Sequence, residues 1–593
     1  MSGIILTRIA GGDFSLFDFY KRRIKRIMPA TLTVTFITFL IGSLIMIPED
    51  LLALAQSAAA TVLSGANIYF TYFLDSSYFA TDSATEPMLH MWSLGVEEQF
   101  YLVWPFLLLL FTKTPRRVVW GFAIVILVSL AVSIALLQSG QSSWAYYMLP
   151  SRAFQLAFGA LMFAIADKGV LLSRPAAILL GGIGAALLVA CATVLTSENA
   201  YPGLAAVPVT LGAGLLLFTG RQQAGVSAIL TDARLRWFGK ISFSLYLWHW
   251  PIVAYQKYLG LPFELPQQIV SLLVIIGLSA LTYHLVENPA RHSQLKFGAA
   301  ATRFLVLPGL AVLACSSVLI STQGIAPWIN ETSVAAMERR VQAAYSYDFV
   351  CQASTLTPEL LEEEACLLGA GRESPKVVLY GDSHAAHYVW AIRDIAEQNG
   401  FRFRNFEHSS CPPIQGDPGK YTSELRREPC RTSHQVAHPR LSGFDVVILG
   451  ASWDTYDKRS DTFRQEALQF METLIGAGSK IVLLGTAPRQ SGFDRECLAK
   501  RVRVPWVSCE NILTDYEIPE INVFLSDFAN SRDEVWYLEP AAALCNDGRC
   551  DAFDAGLPLY FDSGHLSQYG SQKVGAVWLQ QINELASHPL ASR

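Results

Sequence analysis

The sequence predicts a polytopic α-helical membrane domain followed by an α/β domain with a doubly wound parallel sheet in three layers. Three observations predict it. Up to about residue 322 the chain runs as long apolar blocks separated by short polar loops. From Lys376 onward, strand and helix signals alternate. Cysteine usage divides at the same boundary: Cys191 and Cys315 lie in apolar blocks, where they read as small buried hydrophobes, and the other eight lie beyond residue 350.

The totals agree with this division. The 593 residues are too many for one core. Hydrophobic residues make up 52% and charged residues 16%, and the mean hydropathy of +0.31 is a membrane signature on average. The net charge of -5 and the lack of a basic run exclude a nucleic-acid partner.

Blocks long enough to span a bilayer run over 29–47, 89–111, 118–137, 147–165, 175–195, 203–219, 241–258, 267–286 and 303–321. A further block at 52–73 is interrupted by Gly65 and Asn67. Basic clusters stand at Lys21–Arg26, Lys113–Arg117, Arg221 with Arg234–Lys240, and Arg291–Arg303. All four are cytoplasmic only if 52–73 does not cross fully, so that block is expected to be re-entrant or packed in the outer half. The last span then delivers the C-terminal domain to the outside. Eight cysteines there imply disulfides in an oxidising compartment; 105 pairings are open, of which neighbour pairing is the simplest. No C-x-x-C pair supports a metal site.

Several polar groups fall where hydrocarbon is expected. LHMWSLGVEEQFYLVWP sets His90 and Glu97 seven residues apart, on one face if helical, with Glu98 beside them. Such carboxylates face a cavity or a partner, or else form an interfacial cap with its ion pair. His249, between Trp248 and Trp250, is either functional or a satisfied histidine in an aromatic belt. Arg23 and Arg26, three apart, either set topology or hold the phosphates of a nucleotide-bearing donor.

SGIILTRIAGGDFSLFDFYKRRIKRIMPA, LHMWSLGVEEQFYLVWP, SFSLYLWHWP and YHLVENPAR together resemble the acyltransferase-3 family of membrane acyltransferases, in particular members that acetylate the O-antigen of lipopolysaccharide. The resemblance implies acyl-coenzyme A, most simply acetyl-coenzyme A, as a cytoplasmic donor substrate, with no permanently bound cofactor. It implies that Arg23 and Arg26 form the family's R-x-x-R motif and that Glu97 or Glu98 belongs to its acidic helix. Family members begin with one more helix, carrying an Arg, then ten residues, then a His. SGIIL matches the end of the family's second helix, so either Met1 is a misplaced start or the chain is naturally shortened.

In the second half, residues 323–375 read as a linker, with a helical stretch at 335–345. KVVLYG, DVVILGAS and KIVLLGTA are short buried strands alternating with the helices AAHYVWAIRDIAEQNG and DTFRQEALQFMETLIGAG. In such a sheet the site lies at the strand carboxyl ends. The first strand ends in Gly381-Asp382-Ser383-His384, which places Ser383 at a helix N-terminus, where backbone N–H groups stabilise an oxyanion. Serine needs a base. YFDSGHLSQYGS supplies His565, with Asp562 three residues before it to fix the imidazole tautomer.

GDSH and D-x-x-H at opposite ends of one α/β domain resemble the SGNH (GDSL-like) hydrolase family over about 376–586. The resemblance implies Ser383 as nucleophile and first oxyanion donor, His565 as base and Asp562 as orienting acid. The usual G-x-N-D is absent from GASWDTY. Gly450, or the backbone near Ser452 and Trp453, is the candidate replacement donor. Trp453 either stacks on a sugar or fills the core. His384 reads as a wall residue, and His387 and His408 as surface or wall residues. A Cys545–Cys550 disulfide would stiffen the loop before Asp562.

The expected organisation is thus a membrane acyltransferase domain over 1–300, a connecting helix over 301–322, the linker, and an SGNH-like domain over 376–593. The expected function is an O-acyltransferase of the bacterial inner membrane, with its C-terminal domain in the periplasm. It would move acyl groups from acyl-coenzyme A to an envelope glycan or lipid-linked glycan, with the lipid bilayer as its medium. The alternatives are an envelope-glycan acetyl esterase and a glycan-binding or exporting membrane protein without catalysis.

Overall fold

The computed structural model describes residues 2–587 apart from 74–82, 112–114, 168–171, 197–198, 221–224, 330–331, 334, 336–350, 354, 424–425, 492, 510–511 and 514–515. Lys113, Arg221 and nearly all of the helix expected at 335–345 lie outside the described residues. The chain divides into two compact units, Met1–Ile329 and Asn330–Arg593.

Among the described residues, the regular elements of the first unit are all helices. Six helices among the described residues are long and apolar enough to cross a membrane: Leu16–Ile45, Arg117–Gln138, Ser142–Ala166, Arg174–Val194, Leu265–His292 and Phe297–Ser321. Met91–Phe111 and Ala233–Tyr258 are comparable in length, at 21 and 26 residues, but carry the polar motifs. The 52–73 block is broken into two helices, Pro48–Val62 and Ala66–Phe73, each too short to span. Small residues set one close helix contact. A Cβ on Gly184 would stand 2.8 Å from the Gly212 carbonyl oxygen, and the converse distance is 2.9 Å, so Arg174–Val194 and Ala206–Thr219 touch backbone to backbone.

The second unit is built on a seven-stranded sheet: β1 (Gln352–Ala353), β2 (Leu367–Gly369), β3 (Val377–Gly381), β4 (Arg402–His408), β5 (Val446–Gly450), β6 (Lys480–Leu484) and β7 (Val535–Leu538). The order is β1-β4-β3-β5-β6-β7, all parallel; β2 pairs antiparallel with β4. Alternate residues of β3 feed separate cores on the two faces. Val378 and Tyr380 pack with Phe463, Phe470 and Leu525, while Leu379 packs with Ile392, Val574 and Trp578. Helices thus cover both faces, giving three layers. The strand order reverses at β3, whose neighbours β4 and β5 follow it in sequence on either side, and this reversal opens the crevice that holds the site.

Four disulfides join Cys351–Cys366, Cys411–Cys430, Cys497–Cys509 and Cys545–Cys550. Each pairs neighbouring cysteines.

Candidate active site

Ser383 begins a helical turn, Ser383–Ala386, immediately after β3. The turn exists because Asp382 caps it: Asp382 Oδ1 accepts from His384 N–H at 2.7 Å. Its other oxygen accepts from Ser452 N–H at 3.1 Å and from the Tyr456 hydroxyl at 2.7 Å, joining the ends of β3 and β5. Burial pushes the Asp382 carboxyl up, and these three hydrogen bonds oppose the shift.

The structure brings Ser383, His565 and Asp562 into one hydrogen-bonded line. His565 Nε2 lies 2.8 Å from Ser383 Oγ, and its Nδ1 lies 2.8 and 2.9 Å from the two Asp562 oxygens. Asp562 Oδ1 also accepts from Gly564 and His565 N–H, each at 2.8 Å, so the D-x-x-H spacing folds into its own cap. Burial works against ionisation of Asp562, but the His565 ring and the two N–H groups outweigh it and bring the carboxyl down to about 2. Ser383 and His565 are each 3% exposed, so the nucleophile and base are shielded from bulk water. Among the described residues the Ser383 N–H takes no part in a hydrogen bond, leaving it available to an oxyanion.

Of the replacement oxyanion donors expected from the sequence, the Ser452 N–H is taken by Asp382. The Gly450 carbonyl accepts from Asp382 N–H, and a Cβ on Gly450 would stand 2.8 Å from Ala385 Cα, so a glycine there allows close packing. Trp453 is fully buried and donates its indole N–H to the Leu484 carbonyl at 2.9 Å, so it is a core residue and does not face a sugar. His384 is a wall: its ring packs 4.6 Å from that of His565. His387 and His408 are 1% and 2% exposed, which rules out the surface reading. His387 Nδ1 accepts from Leu566 N–H. Burial, then the neighbouring His565, holds both His384 and His387 well below the usual imidazole range.

In the first unit the polar motifs form a second constellation. His90 lies in the turn before the Met91–Phe111 helix, not on the helix as its spacing suggested. Its ring stands 5.6 Å from His249 and 5.3 Å from Tyr246. Ser93 and Tyr246 share a hydrogen bond at 2.8 Å. Two helical turns below Ser93, the Tyr101 hydroxyl donates to Glu97 at 3.1 Å, and the Arg23 guanidinium covers the Tyr101 ring at 4.7 Å. Ser93, Glu97 and Tyr101 are four residues apart and share one face. Arg26 lies within electrostatic range of Glu97 and of Glu287, which accepts from Ser244 at 3.0 Å. Glu98 faces Ser64 instead. Tyr101, Tyr246, Ser93 and Glu287 escaped the sequence reading; the i, i+4 spacing of Ser93 and Tyr101 about Glu97 was the available signal.

Ser383, His565 and Asp562 at the strand edge have the geometry of serine-dependent acyl chemistry. A model described as an acyltransferase domain matches residues 1–284, and one described as an SGNH domain fused to AT3 domains matches residues 350–580. The chain thus carries an acyltransferase-3 domain fused to a C-terminal SGNH domain. It is similar to the O-acetyltransferase OatA of Staphylococcus aureus (strain NCTC 8325 / PS 47), with 26% identity over 318 residues, 50% of this chain and 52% of that protein. It is also similar to the peptidoglycan O-acetyltransferase OatA of Listeria monocytogenes, with 29% identity over 274 residues and 43% of each chain. The chain spans about half the length of the curated relatives it matches. Among solved structures, the periplasmic domain of the lipopolysaccharide acetyltransferase of Salmonella ser. Paratyphi A is 15% identical at a TM-score of 0.31, over 43% of this chain and 97% of that one.

Proposed function

We propose that the chain is an O-acetyltransferase that moves acetyl groups from cytoplasmic acetyl-coenzyme A to a hydroxyl of a cell-envelope glycan. The observation that carries this reading is the Ser383–His565–Asp562 line in a chain that also holds the Arg23–Tyr101–Glu97 and Ser93–Tyr246–His90–His249 groups. The membrane constellation acts on the donor side. Arg23 and Arg26 are placed to meet its phosphates, and the polar face of Met91–Phe111 offers a route for the acyl group through hydrocarbon. At the soluble site, Ser383 Oγ attacks the acyl carbonyl while His565 Nε2 takes its proton. The donor's leaving group receives that proton as the acyl-serine ester forms. A glycan hydroxyl then attacks the ester, gives its proton to His565, and the proton returns to Ser383 as the acetylated glycan leaves. Asp562, ionised throughout, stabilises the imidazolium formed in each half.

Four disulfides support an oxidising location for the second unit, and with the apolar helices a bacterial inner-membrane protein whose C-terminal domain lies in the periplasm. The motifs favour lipopolysaccharide O-antigen, free or lipid-linked, as acceptor; the Listeria relative carries peptidoglycan in its name. Membranes containing the chain, given radiolabelled acetyl-coenzyme A on the cytoplasmic face, should label envelope glycan, and Ser383→Ala should abolish the label. Label that persists in the variant would refute the assignment. Loss of acetyl from pre-acetylated glycan, with no label gained, would make the chain an esterase.

A further inference from the structure

Arg489 lies on the loop that leaves β6, at the same sheet edge as Ser383, and the loop is tied on both sides of it. Thr486 N–H donates to Asn522 Oδ1, and Asn522 Nδ2 donates back to the Thr486 carbonyl, each at 3.1 Å. Gln490 N–H donates to the Ser563 carbonyl at 2.8 Å, and its side chain donates to the Cys550 carbonyl at 3.1 Å. The loop bearing Arg489 is therefore fastened to the loop bearing Asp562 and His565.

Among the described residues, the guanidinium is held through one nitrogen. Nη2 reaches Ser452 Oγ at 2.7 Å, Thr455 Oγ1 at 2.8 Å and Asp454 Oδ1 at 3.1 Å. Among the described residues, Nη1 and Nε make no hydrogen bond. Nη1 stands 3.4 Å from the point a Cβ on Gly564 would occupy, and His384 Cε1 stands 3.8 Å from that same point. The missing side chain at Gly564 makes room for the cation beside His565. The Arg489 side chain is 41% exposed, and its carboxylate partner Asp454 is shared with Lys458 at 3.7 Å.

A strut between two loops would distribute its donors. Here every hydrogen bond among the described residues falls on Nη2, and Nη1 stands beside Gly564, next to His565, on a rigid support, the arrangement of a preformed anion site. We propose that Arg489 recognises a negatively charged substituent, a carboxylate or a phosphate, on the acceptor glycan and so presents a neighbouring hydroxyl to acyl-Ser383. The enzyme's acceptor is then an acidic sugar. This rests on the glycan acyltransferase reading above.

The test uses the full chain in nanodiscs with 4-nitrophenyl acetate as acyl donor. Three oligosaccharides of one backbone serve as acceptors: neutral, uronate-bearing and phosphate-bearing. An acidic acceptor should exceed the neutral one in kcat/KM by about tenfold or more, since a site built to bind a charged group rejects the analogue without it. The better of the two acidic arms identifies the group. Arg489→Gln should bring that ratio close to one, chiefly through KM, and Arg489→Lys should restore only part of it. Arg489→Glu should turn the preference toward an amino-sugar acceptor, a gain that a misfolded variant cannot show. Equal use of neutral and acidic acceptors by the parent, or an undiminished ratio in Arg489→Gln, overturns the proposal while leaving transfer intact. Ester hydrolysis without transfer to any acceptor would overturn the transferase reading, and this proposal with it.

Discussion

A methyl group on Gly381 would lie 1.8 Å from the Gly450 carbonyl oxygen, in a backbone with φ of +153°. Neither strand can give way, because both are central in the sheet and buried. Gly381→Ala should therefore shift Ser383 away from His565 and cost both activity and fold. We expect esterase turnover to fall by about 100-fold or more, since small misplacements at a reacting centre cost that much, with a lowered Tm in the same preparation. Asp562 predicts a different pattern. Its carboxyl is at about 2 in the fold against an ordinary 3.8, so the stability it contributes is present above pH 3.8 and lost as pH falls through 2. Acid inactivation above pH 4 is then not due to Asp562. Asp562→Asn should lower turnover by about 10³–10⁴, because the amide fixes the wrong imidazole tautomer; the loss should persist at every pH tested.

At the scale of elements, two contacts invite substitution. Gly184 and Gly212 let two apolar helices meet at backbone distance, and no rotamer of a larger side chain fits between them. Gly184→Leu should separate Arg174–Val194 from Ala206–Thr219 and reduce folded yield in membranes, measured by fluorescence-detected size exclusion. The second contact lies on the helix Arg427–Leu441, where His434 and His438 stack with ring centroids 4.1 Å apart and His438 lies 4.6 Å from Phe470. Burial drives His434 down to about 4 and His438 to about 2. In the unfolded chain both take up protons below about pH 6.5. The fold excludes those protons, so stability is full above 6.5 and is lost as pH falls toward 4. Melting curves should drop in Tm between pH 7 and 5, and His434→Gln should flatten that slope even if it lowers the pH 7 value.

For the whole molecule, the two units and the triad were legible in the sequence for identifiable reasons, whereas the linker expected over 323–375 was misread, because the short strands β1 and β2 lie within it and pair with β4. KVVLYG and DVVILGAS are unbroken apolar runs that end in glycine, which is how strands buried on both faces read. GDSH and D-x-x-H sit at opposite ends of the domain, where the carboxyl edge of a parallel sheet brings them together. The break in the 52–73 block was visible at Gly65. Arg489 was not legible, because its place depends on how the β6 loop is fastened across 36 residues to Asn522 and across 73 to Ser563. Trp453 stayed open between sugar and core for a related reason: an aromatic residue near a strand end can point either way, and the carbonyl that takes its N–H lies on another strand. The proposed topology carries its own prediction. A reporter after Arg291 should read cytoplasmic and one after Gln323 external; the same side for both would refute the relay.

The nearest-neighbour pairing of the disulfides has a consequence for biogenesis. The cysteines are 15, 19, 12 and 5 residues from their partners, and no pair encloses another. As the polypeptide is threaded N-terminus first, the next cysteine of these eight to emerge is always the right one. An oxidant that joins thiols in order of appearance therefore yields the native set without reshuffling. Cells lacking disulfide isomerase but retaining the thiol oxidase should accumulate the four bonds at the parental rate, read by alkylation and mass mapping of newly made chains. Dependence on the isomerase would show that the polypeptide is oxidised out of order, after much of it has already crossed.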